Sequence, residues 1–194
     1  MDQPCPMTPA QRCEKIVKAL ARYRAKVPEC YDEPLHDVIE RVARTGSIGK
    51  VDIGALYFWK RIQLGRWNEP LLKAPEATVR GITATAVEAA RNRSLSVPEA
   101  AAAAKVALSP LPGMKTGGAL PSALILAAAP HRMAVYDKRA RKGLADVCLP
   151  LSDGPARYRR YMELIEQCRV EMAEHGAGIY TAREVDLALY WLGG

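Results

Sequence analysis

The chain has 194 residues, 49% of them apolar and 25% charged, with 28 Lys+Arg against 21 Asp+Glu for a formal charge of +7. That apolar fraction offsets the entropy of ordering, so disorder is excluded, and the length suits one domain with a sizeable core. No run approaches the roughly 18 apolar residues of a membrane span, and Met1-Asp2-Gln3-Pro4 lacks the order of a secretory signal, so a cytoplasmic protein is expected.

In chain order, Thr8-Pro9 opens an amphipathic helix running to about Lys26, with Ile16, Leu20 and Tyr23 on one face. Asp32 to Thr45 forms a second, stopped by Gly46. A third, Asp52 to Leu64, is apolar on several sides, with Leu56, Phe58, Trp59 and Ile62, and is expected near the centre. A fourth covers about Pro75 to Ala90, and Ser96-Val97-Pro98-Glu99 caps an alanine-rich helix to about Ala107. Another must begin close to Pro121. Met133 to Tyr136 is a short extended piece, and Lys138 to Leu144 returns to helical register. Pro155 to Glu174 and a last helix capped by Thr181-Ala182-Arg183-Glu184 complete an all-α chain without internal repeats.

Cys5, Cys13, Cys30, Cys148 and Cys168 show no C-x-x-C spacing, and His36, His131 and His175 form no ligand pair. Five reduced thiols are expected, with no metal and no cofactor. The charge is more informative. Between Leu111 and Lys142 stand Lys115, Arg132, Lys138, Arg139, Arg141 and Lys142 against Asp137 alone. A local basic surface of this kind suits a polyanion, since counterion release supplies affinity, although a Lys/Arg run also serves as a plain solvated face. Arg157, Arg159 and Arg160 extend the patch if their helix packs beside it.

The same segment holds a motif. Pro112 and the glycines Gly113, Gly117 and Gly118 join two helices, which leaves backbone N–H groups of Gly113, Met114, Lys115, Thr116, Gly117 and Gly118 near the second helix's positive end, where a phosphate can sit. An ordinary αα-corner would use the same glycines. Asp137 stands where an N-cap belongs, a place that favours the carboxylate form.

Leu-Pro-Gly, a helix of small apolar residues, a proline, a short extended stretch and then Asp opening a basic helix resemble the helix-hairpin-helix DNA glycosylase superfamily. The resemblance covers about 35 residues. It implies a compact all-α fold at 1–194, of one domain or two helical lobes, with the helix-hairpin-helix at about 98–130. It implies duplex DNA as partner, gripped by the Leu111–Gly118 hairpin with Lys138, Arg139 and Arg141 beside it. It also implies base excision by Asp137 acting on the sugar cation of a flipped nucleotide. Gly117 stands where lyase members carry their Schiff-base lysine, with Lys115 two residues early, so hydrolysis without strand cleavage is implied. The four-cysteine iron–sulfur ligand set is absent from the sequence. Trp59, Tyr136, Trp67 and Tyr57 are the candidate walls of a base pocket. The alternatives are a non-catalytic helix-hairpin-helix DNA-binding protein and a helical protein whose basic face meets an acidic partner.

Overall fold

The computed structural model describes residues 7–63, 65, 68–116 and 118–194, and among these it is all-helical, without a strand. Ten α-helices follow in order: α1 Pro9–Lys26, α2 Glu33–Thr45, α3 Lys50–Trp59, α4 Asn68–Lys73, α5 Glu76–Arg91, α6 Val97–Leu108, α7 Ala119–Ala128, α8 Lys138–Asp146, α9 Arg157–Glu174 and α10 Ala182–Leu192. Local chemistry sets most of these ends. The Thr8 hydroxyl caps α1 while Gln11 reaches back to the Thr8 N–H at 2.9 Å, and Thr181 with Glu184 repeats the arrangement on α10 at 2.7 Å. Gly46 ends α2 in the left-handed region at φ 66°.

The helix at the centre is α7, not α3. Every residue from Leu120 to Ala128 is buried, with α2, α3, α5 and α6 packed around it. A helix without a polar face has no stable place except inside, and Ala123, Ala127 and Ala128 let neighbours approach closely. The expectation that α3 is buried on several sides is corrected. Its inner face is Ile53, Leu56 and Trp59, while Val51 and Phe58 point outward, with Phe58 77% exposed. It also ends at Trp59, well before Leu64. Lys60, Arg61 and Ile62 close it with two reversed hydrogen bonds, Arg61 N–H to Phe58 O at 3.0 Å and Ile62 N–H to Tyr57 O at 3.1 Å, with Arg61 at φ 49°. The short α4 was not expected.

On the other side of α7's C-terminal exit, α10 packs on α8 and α1, and α9 packs on α6, α1 and α10. Arg12 of α1 fastens this group by donating to Val147 O at 2.8 Å and pairing with Glu171 of α9. Cys13, Cys30 and Cys168 are free thiols, whereas Cys148 is disulfide-bonded. The expectation of five reduced thiols is thereby corrected, because sequence spacing does not reveal which cysteines meet in space. Cysteine state then gives no support for a reducing compartment. Among the described residues no helix is long and apolar enough to cross a membrane.

Candidate functional site

The stretch Met133–Tyr136, between α7 and α8, is buried and belongs to no helix or strand. Buried backbone polar groups need partners, and here side chains supply them. Tyr158 Oη donates to Ala134 O at 2.8 Å, and Tyr161 Oη, whose proton is shared with Asp186, lies 3.3 Å from Val135 O. Val135 N–H donates to Asp186 Oδ2 at 3.4 Å, and Tyr136 N–H to Ser122 Oγ at 2.9 Å. Three helices, α7, α9 and α10, therefore hold the backbone that delivers Asp137.

Asp137 caps α8 through Oδ1, which accepts the Arg139 N–H at 2.7 Å. Its Oδ2 faces Lys60 Nζ, the residue that ends α3, at 3.1 Å. Neither side chain is exposed: 21% of Asp137's surface and 13% of Lys60's remain accessible. The Lys60 ammonium also lies 5.6 Å from the centre of the Trp59 ring and 5.7 Å from that of Tyr190. Both π faces and the carboxylate attract the ammonium and hold it in place.

These groups line a cleft of about 320 Å³ between α1, α3, α8 and α10, with Tyr23, Tyr31, Trp59 and Tyr190 as its aromatic walls. The volume is in the range of small-molecule sites. Beneath it lies a buried ionic cluster. Asp186 accepts from Arg183 at 2.7 Å and from Tyr161 at 2.8 Å, Asp32 accepts from Trp59 Nε1 at 2.8 Å, and Arg183 lies 3.6 Å from Asp32. Burial raises the Asp186 carboxyl above its ordinary value, against the pull of Arg183, Lys60 and Tyr161. Burial, with Asp186 beside it, pushes the Tyr161 hydroxyl well up, and burial first among several causes pushes Tyr23 up to about 12. The cluster orients Trp59 and fixes α10 against α3, and so shapes the cleft wall.

The turn between α6 and α7 faces a second hollow, of about 530 Å³. Gly113 is left-handed at φ 79°, Lys115 and Thr116 are exposed, and no side chain caps α7. Met114 is fully buried, so its side chain belongs to the core. Lys105 pins the turn by donating to Met114 O and, at 3.2 Å, to Lys115 O, and burial lowers its pKa. Gly118 sits so close to Tyr136 that a Cβ would lie 2.4 Å from its ring. Arg157 and Arg159 of α9 line this hollow with Lys105 and Lys115, and no acidic side chain does. Ser122 Oγ, which donates to Gly118 O at 2.7 Å as well as accepting from Tyr136, ties the turn to the buried stretch before Asp137.

Of the residues singled out in the sequence, Asp137 and Trp59 share the aromatic cleft, while Tyr136 is buried against Tyr161 and lines the basic hollow instead. Tyr57 lines neither, and its hydroxyl bonds Gln63 O at 2.9 Å and Asn68 at 3.1 Å. Trp67 and Gly117 lie outside the described residues. Lys138 is exposed, Arg139 bonds Tyr190 Oη at 3.0 Å and covers its ring, and Arg141 pairs with Asp153 at 2.9 Å. Arg132 is spent on structure: it holds Asn92 O at 2.9 Å and Leu95 O at 3.0 Å after α5. Lys60, Tyr190, Arg183 and Asp186 were missed, since nothing in their local spacing links them to Asp137. Among the described residues no group of three or more His, Cys, Asp or Glu could hold a metal ion.

Comparison of the chain with protein-family models, curated proteins and solved structures returned no match.

Proposed function

We propose that the protein is a helix-hairpin-helix DNA glycosylase that binds duplex DNA and hydrolyses the N-glycosidic bond of a modified base with Asp137. The observation that carries this reading is the Asp137 carboxylate on the wall of an aromatic cleft of about 320 Å³. Chemistry on a base requires its extrusion from the stack into such a pocket. As the glycosidic bond breaks, positive charge develops on the sugar, and a fixed carboxylate stabilises it without reorganisation. Oδ1 is held by the Arg139 N–H, so the carboxylate is preorganised. The α6–α7 turn, with free main-chain donors at the start of α7 and Lys115, Arg157 and Arg159 around it, suits a phosphate of the backbone.

A second reading, a non-catalytic DNA-binding protein, is favoured by one observation. Both Asp137 oxygens are already engaged, one by the cap and one by Lys60. The two readings part in one experiment. Wild type and Asp137→Asn are titrated at fixed salt with a plain duplex and with one carrying a pyrrolidine abasic analogue, whose cationic nitrogen imitates the sugar cation. For a glycosylase, wild type prefers the pyrrolidine duplex by roughly 100-fold or more. Asp137→Asn loses that preference while plain-duplex affinity holds. Equal binding of both duplexes by both proteins leaves the non-catalytic reading, and no binding of either at low salt removes both.

A further inference from the structure

The charges around the aromatic cleft divide into two sets. In its interior the charged groups pair with one another. Lys60 faces Asp137 at 3.1 Å, and Arg183 donates to Asp186 at 2.7 Å and lies 3.6 Å from Asp32 behind the wall. Two cations thus stand among three carboxylates, and the interior has no excess of positive charge. The rim is different. Lys26, the last residue of α1, and Arg61, just past the end of α3, also line the cleft, and both are exposed. Among the described residues neither side chain forms a hydrogen bond or an ion pair. Arg61 is also held at φ 49°, a left-handed conformation that disfavours any residue with a Cβ. A glycine would close α3 there with less strain, but it would leave the rim without a guanidinium. Backbone strain of this kind gathers at ligand clamps and active sites.

A nucleotide extruded from a strand carries its charge in the same pattern. Its base and sugar enter uncharged, and the sugar gains positive charge as the glycosidic bond breaks, while the phosphates on either side stay at the mouth. From this match we propose that Lys26 and Arg61 grip the two phosphates that flank the nucleotide in the cleft, one from the α1 edge and one from the α3 edge. Both are positioning residues, which touch the strand and not the reacting bond. Cations at the rim hold phosphates without cancelling the carboxylates inside. The grip is separate from that of the α6–α7 turn, whose hollow shares no lining residue with the cleft. The proposal rests on the cleft being a nucleotide pocket and adds how the strand is held at its mouth.

The test follows salt dependence. The full chain as wild type, Lys26→Gln, Arg61→Gly and Arg61→Lys is first melted, then titrated with the plain and the pyrrolidine duplex over a range of salt. The pyrrolidine duplex places its analogue in the cleft and so brings the flanking phosphates to the rim. On it, Lys26→Gln and Arg61→Gly should each flatten the fall of log K with log salt by about one unit, the signature of one lost phosphate contact. Plain-duplex slopes should stay at the wild-type value, and Arg61→Lys, which keeps the charge, should keep the slope on both. Arg61→Gly should also melt above wild type, so that its weaker binding is not a loss of fold, and Lys26→Gln carries the test if it melts lower. A wild-type slope in Lys26→Gln, equal flattening on both duplexes, or a slope lost as fully in Arg61→Lys as in Arg61→Gly overturns the proposal. Displacement of the pyrrolidine duplex by millimolar deoxyribose 5-phosphate assigns the rim to a free sugar phosphate and overturns it as well. Wild type separates the two levels. A pyrrolidine preference with unaltered slopes in the variants sinks the rim assignment alone, and no pyrrolidine preference sinks the pocket reading with it.

Discussion

Gly143 and Gly193 bring the backbones of the two site-bearing helices into contact, and this makes a sharp prediction. A Cβ added at Gly143 of α8 would sit 2.0 Å from the Leu189 carbonyl oxygen of α10, and one at Gly193 would sit 1.9 Å from Arg139 O. Neither contact involves a side chain that can swing away. In Gly143→Ala the helices must therefore part by more than about 1 Å to reach ordinary van der Waals distance. Overpacking of this kind costs about 1–3 kcal/mol, which for a chain of this size lowers the melting temperature by about 2–4 °C per kcal/mol. The displacement also separates Asp137, at the head of α8, from Tyr190 on α10, and stretches the 3.0 Å Arg139–Tyr190 bond. Misplacement by about 1 Å can remove 100-fold of a geometric effect, so the pyrrolidine preference should fall more than plain-duplex affinity. The control is Gly54→Ala in α3, where a Cβ meets nothing within 4 Å. That change should stabilise by roughly 0.5–1 kcal/mol, because alanine favours a helix over glycine. Thermal melts by circular dichroism read both. Gly143→Ala melting as high as Gly54→Ala would refute the reasoning, since two backbones in contact cannot admit a methyl group at no cost.

Three further outcomes are expected. Ser122→Ala strands the buried Tyr136 N–H and should cost about 1–3 kcal/mol in a urea titration, with the loss concentrated next to Asp137. Arg61→Gly relieves a left-handed residue at the end of α3 and should raise stability by about 1 kcal/mol, measured the same way. The pH dependence follows from Glu184: burial, the largest single influence, pushes its carboxyl up, but the Thr181 N–H and hydroxyl and the Arg24 guanidinium outweigh it and hold the group below its ordinary 4.5. Its contribution is then complete above 4.5 and lost as pH falls through the lowered value, so melts of wild type and Glu184→Gln should converge on acidification through that window.

The sequence carried the elements whose ends are set by neighbours in the chain. Thr8 with Gln11, Gly46 after α2, Ser96 with Glu99 and Thr181 with Glu184 are caps closed within three or four residues, and they place α1, α2, α6 and α10 to within a residue or two. Asp137 was legible for the same reason, as an N-cap that its own helix explains. Composition also separated helix from strand throughout, because apolar spacing of three and four residues recurs and alternation does not.

What the sequence could not decide was burial and company. The α3 segment, with Leu56, Phe58, Trp59 and Ile62, is as apolar as a core helix, yet the all-apolar α7 took the central place and left Phe58 outside. Only packing settles such a competition, since two helices cannot both fill one axis. The basic count between Leu111 and Lys142 did not show that Arg132 is spent on Asn92 and Leu95 carbonyls, or that Arg157 and Arg159 arrive from α9 to replace it beside the turn. Lys60 stands 77 residues from Asp137, and Asp186 another 49 beyond. Their meeting around one cleft depends on how α3, α8 and α10 pack against one another, and a periodicity read along the chain has no term for a contact across it.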